Sequence, residues 1–134
     1  MRLPYRPPTP PPASKDIEKY RALAGSLLER LKLQMPLLEL MQSLDEDLGP
    51  RLPPAVAEFD RLRDELDAIK PPETLRTQHE LLLQAARLGS TAARLRMEAL
   101  QTGDIRVRRN SSSAAAGATL LLDRAFAAVG YGGR

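Results

Sequence analysis

Prolines and glycines stand in this chain at the points where apolar-periodic segments begin and end. Pro53-Pro54 and Pro71-Pro72 each open such a segment, and Gly103-Asp104 separates two others. Proline has no backbone N–H and a fixed φ, so it suits the first turn of a helix. Glycine often closes a helix and aspartate often caps one, so Gly103-Asp104 predicts a tight turn between two helices.

Apolar side chains recur at three- and four-residue spacing in four segments, which is the period of an amphipathic helix. The pattern predicts helix 1 from Ser14 to about Leu48, helix 2 from Pro53, helix 3 from Pro72 to about Thr102 and helix 4 from Asp104 to about Val129. Aromatic residues make up only 4% of the chain, which favours helices packed through leucine and alanine. Short connections between the segments predict an all-α, up-down antiparallel four-helix bundle.

One proline falls inside a predicted helix, and others crowd the start of the chain. Pro36 removes a backbone hydrogen bond and clashes one turn back, so we expect helix 1 to be kinked around Lys32–Met35 without necessarily breaking. Residues 1–13 contain six prolines, which predicts a disordered proline-rich tail or spacer. The predicted domain plan is therefore this tail, a bundle over 14–129 and a flexible C-terminal tail over 130–134.

Each helix is expected to turn one row of side chains towards the core, while the charged side chains of helix 2 from Glu58 to Glu65 face water. Small residues on helix 3 (Gly89, Ala92, Ala93) and on helix 4 (Ser112, Ala115, Ala116) predict a close approach of these two helices. The expected inward rows are Val56, Phe59, Leu62, Leu66 and Ile69 in helix 2; Leu75, His79, Leu82, Ala86, Gly89, Ala93 and Leu100 in helix 3; and Ile105, Arg108, Ser112, Ala115, Thr119, Leu122, Phe126 and Val129 in helix 4.

The residue types that most often carry chemistry are scarce. There is no cysteine, and His79 is the only histidine, so neither a zinc motif nor a pair of Glu-x-x-His ligands is present. We expect His79 to be structural, with one ring nitrogen bonded to a carbonyl of a neighbouring helix or loop. The serines Ser111, Ser112 and Ser113 lie within a helical pattern without a nearby histidine. The sequence therefore predicts a protein that is not an enzyme and has no metal or cofactor.

Three arginines, Arg106, Arg108 and Arg109, occupy the first turns of helix 4, where positive charge opposes the helix dipole. One interpretation is structural: the tight turn would place them near the carbonyl end of helix 3 or beside Glu98. The other is an anion- or acidic-partner site at the end of the bundle. A net charge of +3, without a long basic stripe or interleaved aromatics, does not favour nucleic acid.

The run Pro71-Pro72, His79, Leu82-Leu83, Ala99-Leu100 and Gly103-Asp104 resembles a signature of uncharacterised bacterial helical-bundle proteins, many of them secreted or lipid-anchored. The resemblance covers about residues 65–129 and carries no known activity. No apolar run is long enough to span a bilayer or to act as a signal peptide near Met1. As written, the chain is expected to be cytoplasmic, or envelope-associated if its true start lies upstream.

These observations favour a non-enzymatic helical bundle that acts as an interaction or structural module with an unknown protein partner, as a monomer or homodimer. The first alternative is a binding module for an acidic partner, nucleic acid or anionic lipid through Arg106–Arg109. The second is a carrier of a small apolar ligand, held in a cavity between the small-residue faces.

Overall fold

A computed structural model of the chain describes residues 14–43 and 47–130. Within these residues it contains four α-helices and no strand: α1 (Ser14–Met41), α2 (Leu52–Asp67), α3 (Arg76–Thr102) and α4 (Ile105–Val129). Short 3-10 turns, Gly49–Arg51 and Glu73–Leu75, lead into α2 and α3. The predicted all-α class and four-helix bundle are confirmed. The tail predicted over 1–13 and residues 131–134 of the predicted C-terminal tail lie outside the described residues.

The predicted punctuation marks the helix ends closely. Prolines stand in the first turn of α2. Helix 3 was predicted to begin at Pro72, but a 3-10 turn follows Pro72 and α3 begins at Arg76. Gly103 closes α3 with a left-handed φ of 72° and donates its N–H to Ala99 O at 2.8 Å. The Asp104 side chain then accepts the Arg106 N–H at 2.9 Å and caps α4. Helix ends that are determined by nearby residues could therefore be predicted from the sequence.

The end of α1 was predicted wrongly. The helix stops at Met41 and not near Leu48, although it is continuous through Pro36. At its end, side chains from two other helices bind the Met41 carbonyl: Arg96 Nη1 at 3.3 Å and Ser112 Oγ at 2.9 Å. These donors satisfy a carbonyl that a further helical turn would otherwise have bonded. The bend expected around Lys32–Met35 stays a prediction.

The helices run alternately up and down, which gives the bundle two ends. The upper end holds the α1–α2 connection and the α3–α4 turn, and the lower end holds Ser14, the α2–α3 connection and Gly130. The α3–α4 interface is the most extensive, followed by that of α2 with α3, and α1 packs less extensively on its neighbours. None of the described helices is both long and apolar enough to cross a membrane.

The core is built mainly from leucine and alanine, with Tyr20, Phe59 and Phe126 as its aromatic members. Most of the expected inward positions are buried. The expected inward positions that are only partly buried are Val56, Ile69, Arg108, Ser112 and Thr119. Leu100 and Ile105 are each 48% exposed. These last two side chains flank the α3–α4 turn at the upper end. The positions that fill the core beside the predicted rows include Leu52, Ala55, Leu83, Ala85, Ala99, Ser111, Ala118 and Ala125.

The expected close approach of α3 and α4 is present, and it includes Ala92, Ala93 and Ala115 as predicted, together with Ala118 and Ser111. Ala92, Ala93, Ala115 and Ala118 are completely buried, and Ser111 Oγ donates to Ala92 O at 2.7 Å across the interface. Ala116 is exposed, contrary to its predicted inward place. Gly89 packs against the ring of Phe59 in α2, and a Cβ at this position would lie 2.6 Å from that ring. The absent side chain of Gly89 thus makes room for an aromatic ring.

Candidate functional site

The three arginines of the predicted site do not lie together. Arg106 is exposed, and its guanidinium reaches only Asp104, the cap of its own helix, with Nε 3.8 Å from the carboxylate. Arg109 is exposed and has no hydrogen bond or ion pair within the described residues. Arg108 is partly buried, and its Nε is buried without a hydrogen-bond partner in that same part of the chain.

Arg108 belongs to the inner side of α4. It lies one helical turn before Ser112, whose hydroxyl binds the carbonyl at the end of α1, and residues four apart share a face of a helix. Positive charge is favourable near the C-terminus of a helix, so this placement suits Arg108 to the end of α1. The structure therefore separates an inner Arg108 from the outer pair Arg106 and Arg109.

The structural interpretation of these arginines places them near the carbonyl end of α3 or beside Glu98. In the structure, other groups make the hydrogen bonds at that end. Thr102 Oγ1 donates to Glu98 O at 2.9 Å, and the Gly103 N–H donates to Ala99 O. Within the described residues, no ion pair joins the Glu98 carboxylate to an arginine of α4. The last turn of α3 is thus capped from its own side, without the help of Arg106 or Arg109.

Two large apolar side chains accompany the outer arginines. Leu100 in the last turn of α3 and Ile105 at the start of α4 are each about half exposed on either side of the Gly103 turn. We call Leu100, Ile105, Arg106 and Arg109 together the arginine end. Sequence reasoning placed Leu100 and Ile105 in the core, because helical spacing shows which residues share a face but not where the bundle stops.

Some arginines elsewhere in the bundle have partners on neighbouring helices. Arg30 of α1 binds Glu58 at 2.6 Å and Glu65 at 2.7 Å, both on α2. The hydrogen bond from Arg30 holds the pKa of Glu58 below its usual range, and the two carboxylates raise the pKa of Arg30. Glu58 was expected to face water alone, but the arginine from α1 partly covers it.

A second ion pair joins α2 to α3. Asp60 accepts hydrogen bonds from Ser90 Oγ at 2.7 Å and from Arg94 Nη2 at 2.5 Å. The hydrogen bond from the Ser90 hydroxyl and, to a smaller extent, the contact with Arg94 hold the pKa of Asp60 below its usual range. Asp60 was also expected to face water, and its partial burial against α3 corrects that expectation.

One arginine lies in the core. Arg96 is 1% exposed and donates to the backbone carbonyls of Met41 at 3.3 Å and Ser43 at 2.9 Å. Its charge lies at the negative end of the α1 dipole, where a cation is favoured. Sequence analysis missed Arg96, because arginine in an amphipathic pattern is normally assigned to the solvent side.

His79 occupies a buried, hydrogen-bonded place at the lower end. Its Nδ1 lies 2.6 Å from the Tyr20 hydroxyl, and the backbone carbonyl of Leu66 also hydrogen-bonds the ring. The expected carbonyl partner is therefore present, and Tyr20 is an additional partner that the sequence did not identify. Burial lowers the pKa of His79 and raises that of Tyr20. Among the described residues, no group of three or more His, Asp or Glu side chains is placed to hold a metal ion.

The serines of α4 are placed for packing. Ser111 and Ser112 point their hydroxyls at the carbonyls of Ala92 and Met41. His79 contacts Tyr20, which precedes Met41 by 21 residues along α1, so these serines lie roughly 30 Å from the only histidine. The sequence expectation that no serine–histidine pair forms agrees with these distances.

Surface grooves lie between the helices of the described part of the chain, and three of them have charged residues in their walls. The groove beside His79 (about 330 Å³) includes Asp67, Lys70 and Arg76 in its walls, and that between α1 and α2 (about 480 Å³) includes Arg51, Glu58 and Arg61. The groove between α2 and α3 (about 360 Å³) includes Arg94 and Glu98. All three are open and edged by charge, which differs from the dry apolar cavity that a ligand carrier requires.

No protein-family model matches the chain, and comparisons with curated proteins and with solved structures give no significant match. The resemblance to bacterial helical-bundle proteins stays a prediction.

Proposed function

We propose that this chain is a non-enzymatic helical bundle that acts as an interaction module and docks an acidic protein partner at the arginine end. The observation that carries the proposal is the position of Arg106 and Arg109, two exposed cations in the first turns of α4, near the half-exposed Leu100 and Ile105. Unlike Arg30, Arg94 and Arg96, neither of these two arginines binds a group on a neighbouring helix among the described residues.

Their position has an energetic cost that local contacts offset only in part. Cations in the first turns of a helix oppose its dipole by a few tenths of a kcal/mol each at exposed sites. Of the two, only Arg106 approaches a carboxylate, that of Asp104, in the described part of the chain. An acidic partner would supply the missing counter-charge, and half-exposed Leu100 and Ile105 would supply apolar contact beside it.

Nucleic acid and anionic lipid are the alternative partners for this surface. A protein partner is favoured because the arginine end combines two exposed cations with two half-exposed apolar side chains around the α3–α4 turn. Within the described residues, no stripe of cations or aromatic platform extends this surface. A small-ligand carrier has less support, because charged residues edge the three grooves described above.

The test compares two double variants that remove the same charge from different places. Arg106→Gln with Arg109→Gln changes the arginine end, and Arg87→Gln with Arg124→Gln changes exposed arginines elsewhere on α3 and α4. Both variants should unfold within about 1 kcal/mol of the unmodified chain, since exposed charges contribute little to stability. Partner recovery from the native cell should be lost only in the first variant and should weaken as salt rises.

Three results would contradict the proposal: recovery retained in the Arg106/Arg109 variant, recovery lost equally in the control variant, or recovery that does not change with salt. Binding of labelled duplex DNA, RNA or phosphatidylglycerol vesicles is measured with the same proteins. The partner would instead be DNA, RNA or anionic lipid if two results were found together. The unmodified chain would recover no protein partner, and binding to one of these three probes would be lost in the Arg106/Arg109 variant alone.

A further inference from the structure

The lower end of the bundle contains a buried contact between the only histidine of the chain and a tyrosine. Tyr20 of α1 is completely buried and His79 of α3 is 3% exposed. The Tyr20 hydroxyl lies 2.6 Å from His79 Nδ1, and the two rings meet edge to face with centroids 5.7 Å apart. This contact directly joins α1 to α3.

The partners of His79 suit its neutral form. The Leu66 carbonyl of α2 can only accept a hydrogen bond, so the ring nitrogen facing it carries a hydrogen, and Nδ1 is then free to accept from Tyr20. A proton added at Nδ1 would make that nitrogen a donor. The Tyr20 hydroxyl would have to become the acceptor, and its own hydrogen would lose its partner in a place without solvent access.

Nearby charge and burial act on the pKa of His79 in opposite directions. Asp67 at the end of α2 and Glu80 of α3 favour the imidazolium, but burial opposes it more strongly and leaves the pKa of His79 below its usual value. From α1, the Asp16 carboxylate binds Thr74 at the same end, and α4 ends there with the apolar Phe126 and Val129. The remaining charged groups lining the groove beside His79 are Lys70, Glu73 and Arg76.

We infer that the Tyr20–His79 contact is an acid-sensitive switch, in which protonation of His79 loosens the N-terminal half of α1 from α2 and α3. The upper half of α1 has separate attachments, through Arg30 to α2 and through Met41 to Arg96 and Ser112. None of these side chains titrates near neutral pH, so the loosening is confined to the lower half, about residues 14–28.

The direction of the pH effect follows from linkage. A histidine whose pKa is lower in the folded than in the unfolded chain stabilises the fold fully above its unfolded value near 6.5. That stabilisation is lost as the pH falls from this value towards the folded pKa. The switch therefore operates below the ordinary pKa of histidine.

The chain has no cysteine, so spin labels can be placed freely. One pair at Lys19 and Gln84 reports on the lower halves of α1 and α3, and a matched pair at Lys32 and Thr91 reports on their upper halves; all four positions are exposed. On acidification from pH about 7.5 to about 5, which spans the ordinary histidine pKa, the lower distance should lengthen or broaden by about one helical turn, about 5 Å, and the upper should not.

The variant His79→Gln keeps an acceptor for Tyr20 and a donor for Leu66 without a titrating ring. It should abolish the change at the lower pair. The single histidine resonance in NMR gives a second reading in the unmodified chain, because its titration midpoint should coincide with that of the distance change.

Each remaining result contradicts the switch. An unchanged lower distance in the unmodified chain, a change that persists in His79→Gln, or an equal change at both pairs would overturn it. If His79→Gln does not fold, a histidine midpoint that differs from the midpoint of the distance change would do the same.

Discussion

The two sides of the bundle are held together differently. Across the α3–α4 interface the side chains are small, and Ser111 of one helix reaches the backbone of the other. The contacts that reach α1 from other helices include several polar side chains: His79 at Tyr20, Glu58 at Arg30, and Arg96 and Ser112 at Met41.

The difference between the α3–α4 interface and the interfaces of α1 indicates which helix can move away from its neighbours. An interface of small side chains brings two backbones close together and has little freedom to adjust, because close-packed interiors contain few voids. An interface with separate polar contacts can lose one of them and keep the others. We therefore expect α3–α4 to behave as one unit and α1 to respond locally.

The largest expected effect tests whether the apolar faces lie where the structure places them. Leu82 on α3 and Phe126 on α4 are both buried, so each change to alanine should lower the free energy of unfolding by about 2–5 kcal/mol. Denaturant unfolding measures this, with Leu120→Ala on the exposed side of α4 as control. Losses no larger than that of the control would show that the core is assigned wrongly.

The next effect concerns the polar contacts of α1. Arg96→Met keeps most of the side-chain volume but leaves the carbonyls of Met41 and Ser43 without this donor, and should cost about 2–4 kcal/mol. Amide hydrogen exchange should rise most at the end of α1. If methionine is as stable as arginine, or the added exchange lies in α4 instead, Arg96 does not anchor α1.

A smaller loss is expected where α2 packs against α3. Gly89→Ala places a methyl within 2.6 Å of the completely buried Phe59 ring, and should destabilise the bundle by about 1–3 kcal/mol despite the better helix propensity of alanine. Gly117→Ala is the control, since its nearest neighbour is the flexible Leu88 side chain at 3.4 Å. Equal thermal stability of the two variants would contradict the close packing at Gly89.

The smallest effect belongs to the partly exposed ion pairs of α1 and α2. Arg30→Gln should cost under about 1 kcal/mol, because solvent and salt screen such pairs. Arg30 holds the pKa of Glu58 below 4.5, so the contribution of the pair is present above that pH and is lost as the pH falls further. Unfolding measured over pH 3–6 in both proteins checks this, and a difference that grows on acidification would contradict it.

Most of the fold was predictable, because its boundaries are set by local residues. Pro53-Pro54, Pro71-Pro72 and Gly103-Asp104 act within one turn of where they stand, and the helices begin and end beside them. The end of α1 was not predictable, since the groups that bind Met41 come from Arg96 and Ser112, far along the chain.

The candidate site was predictable only in part. Position in the helix identified the unusual arginines, but the separation of Arg108 from Arg106 and Arg109 depends on how α4 rotates against α1. The exposure of Leu100 and Ile105 depends on where the bundle ends, and the helical period does not contain that information. Likewise, a lone histidine in an apolar row did not reveal that its partner would be Tyr20.

Native-state hydrogen exchange with residue resolution tests the difference between the two sides most directly. We predict that the amides of α1 between Tyr20 and Leu28 exchange through an opening reaction whose free energy is at least about 1 kcal/mol lower than that of the α3 and α4 amides. Mild acid should increase this difference in free energy. Equal protection of α1 and the α3–α4 pair at both pH values, as in a single cooperative unit, would contradict it.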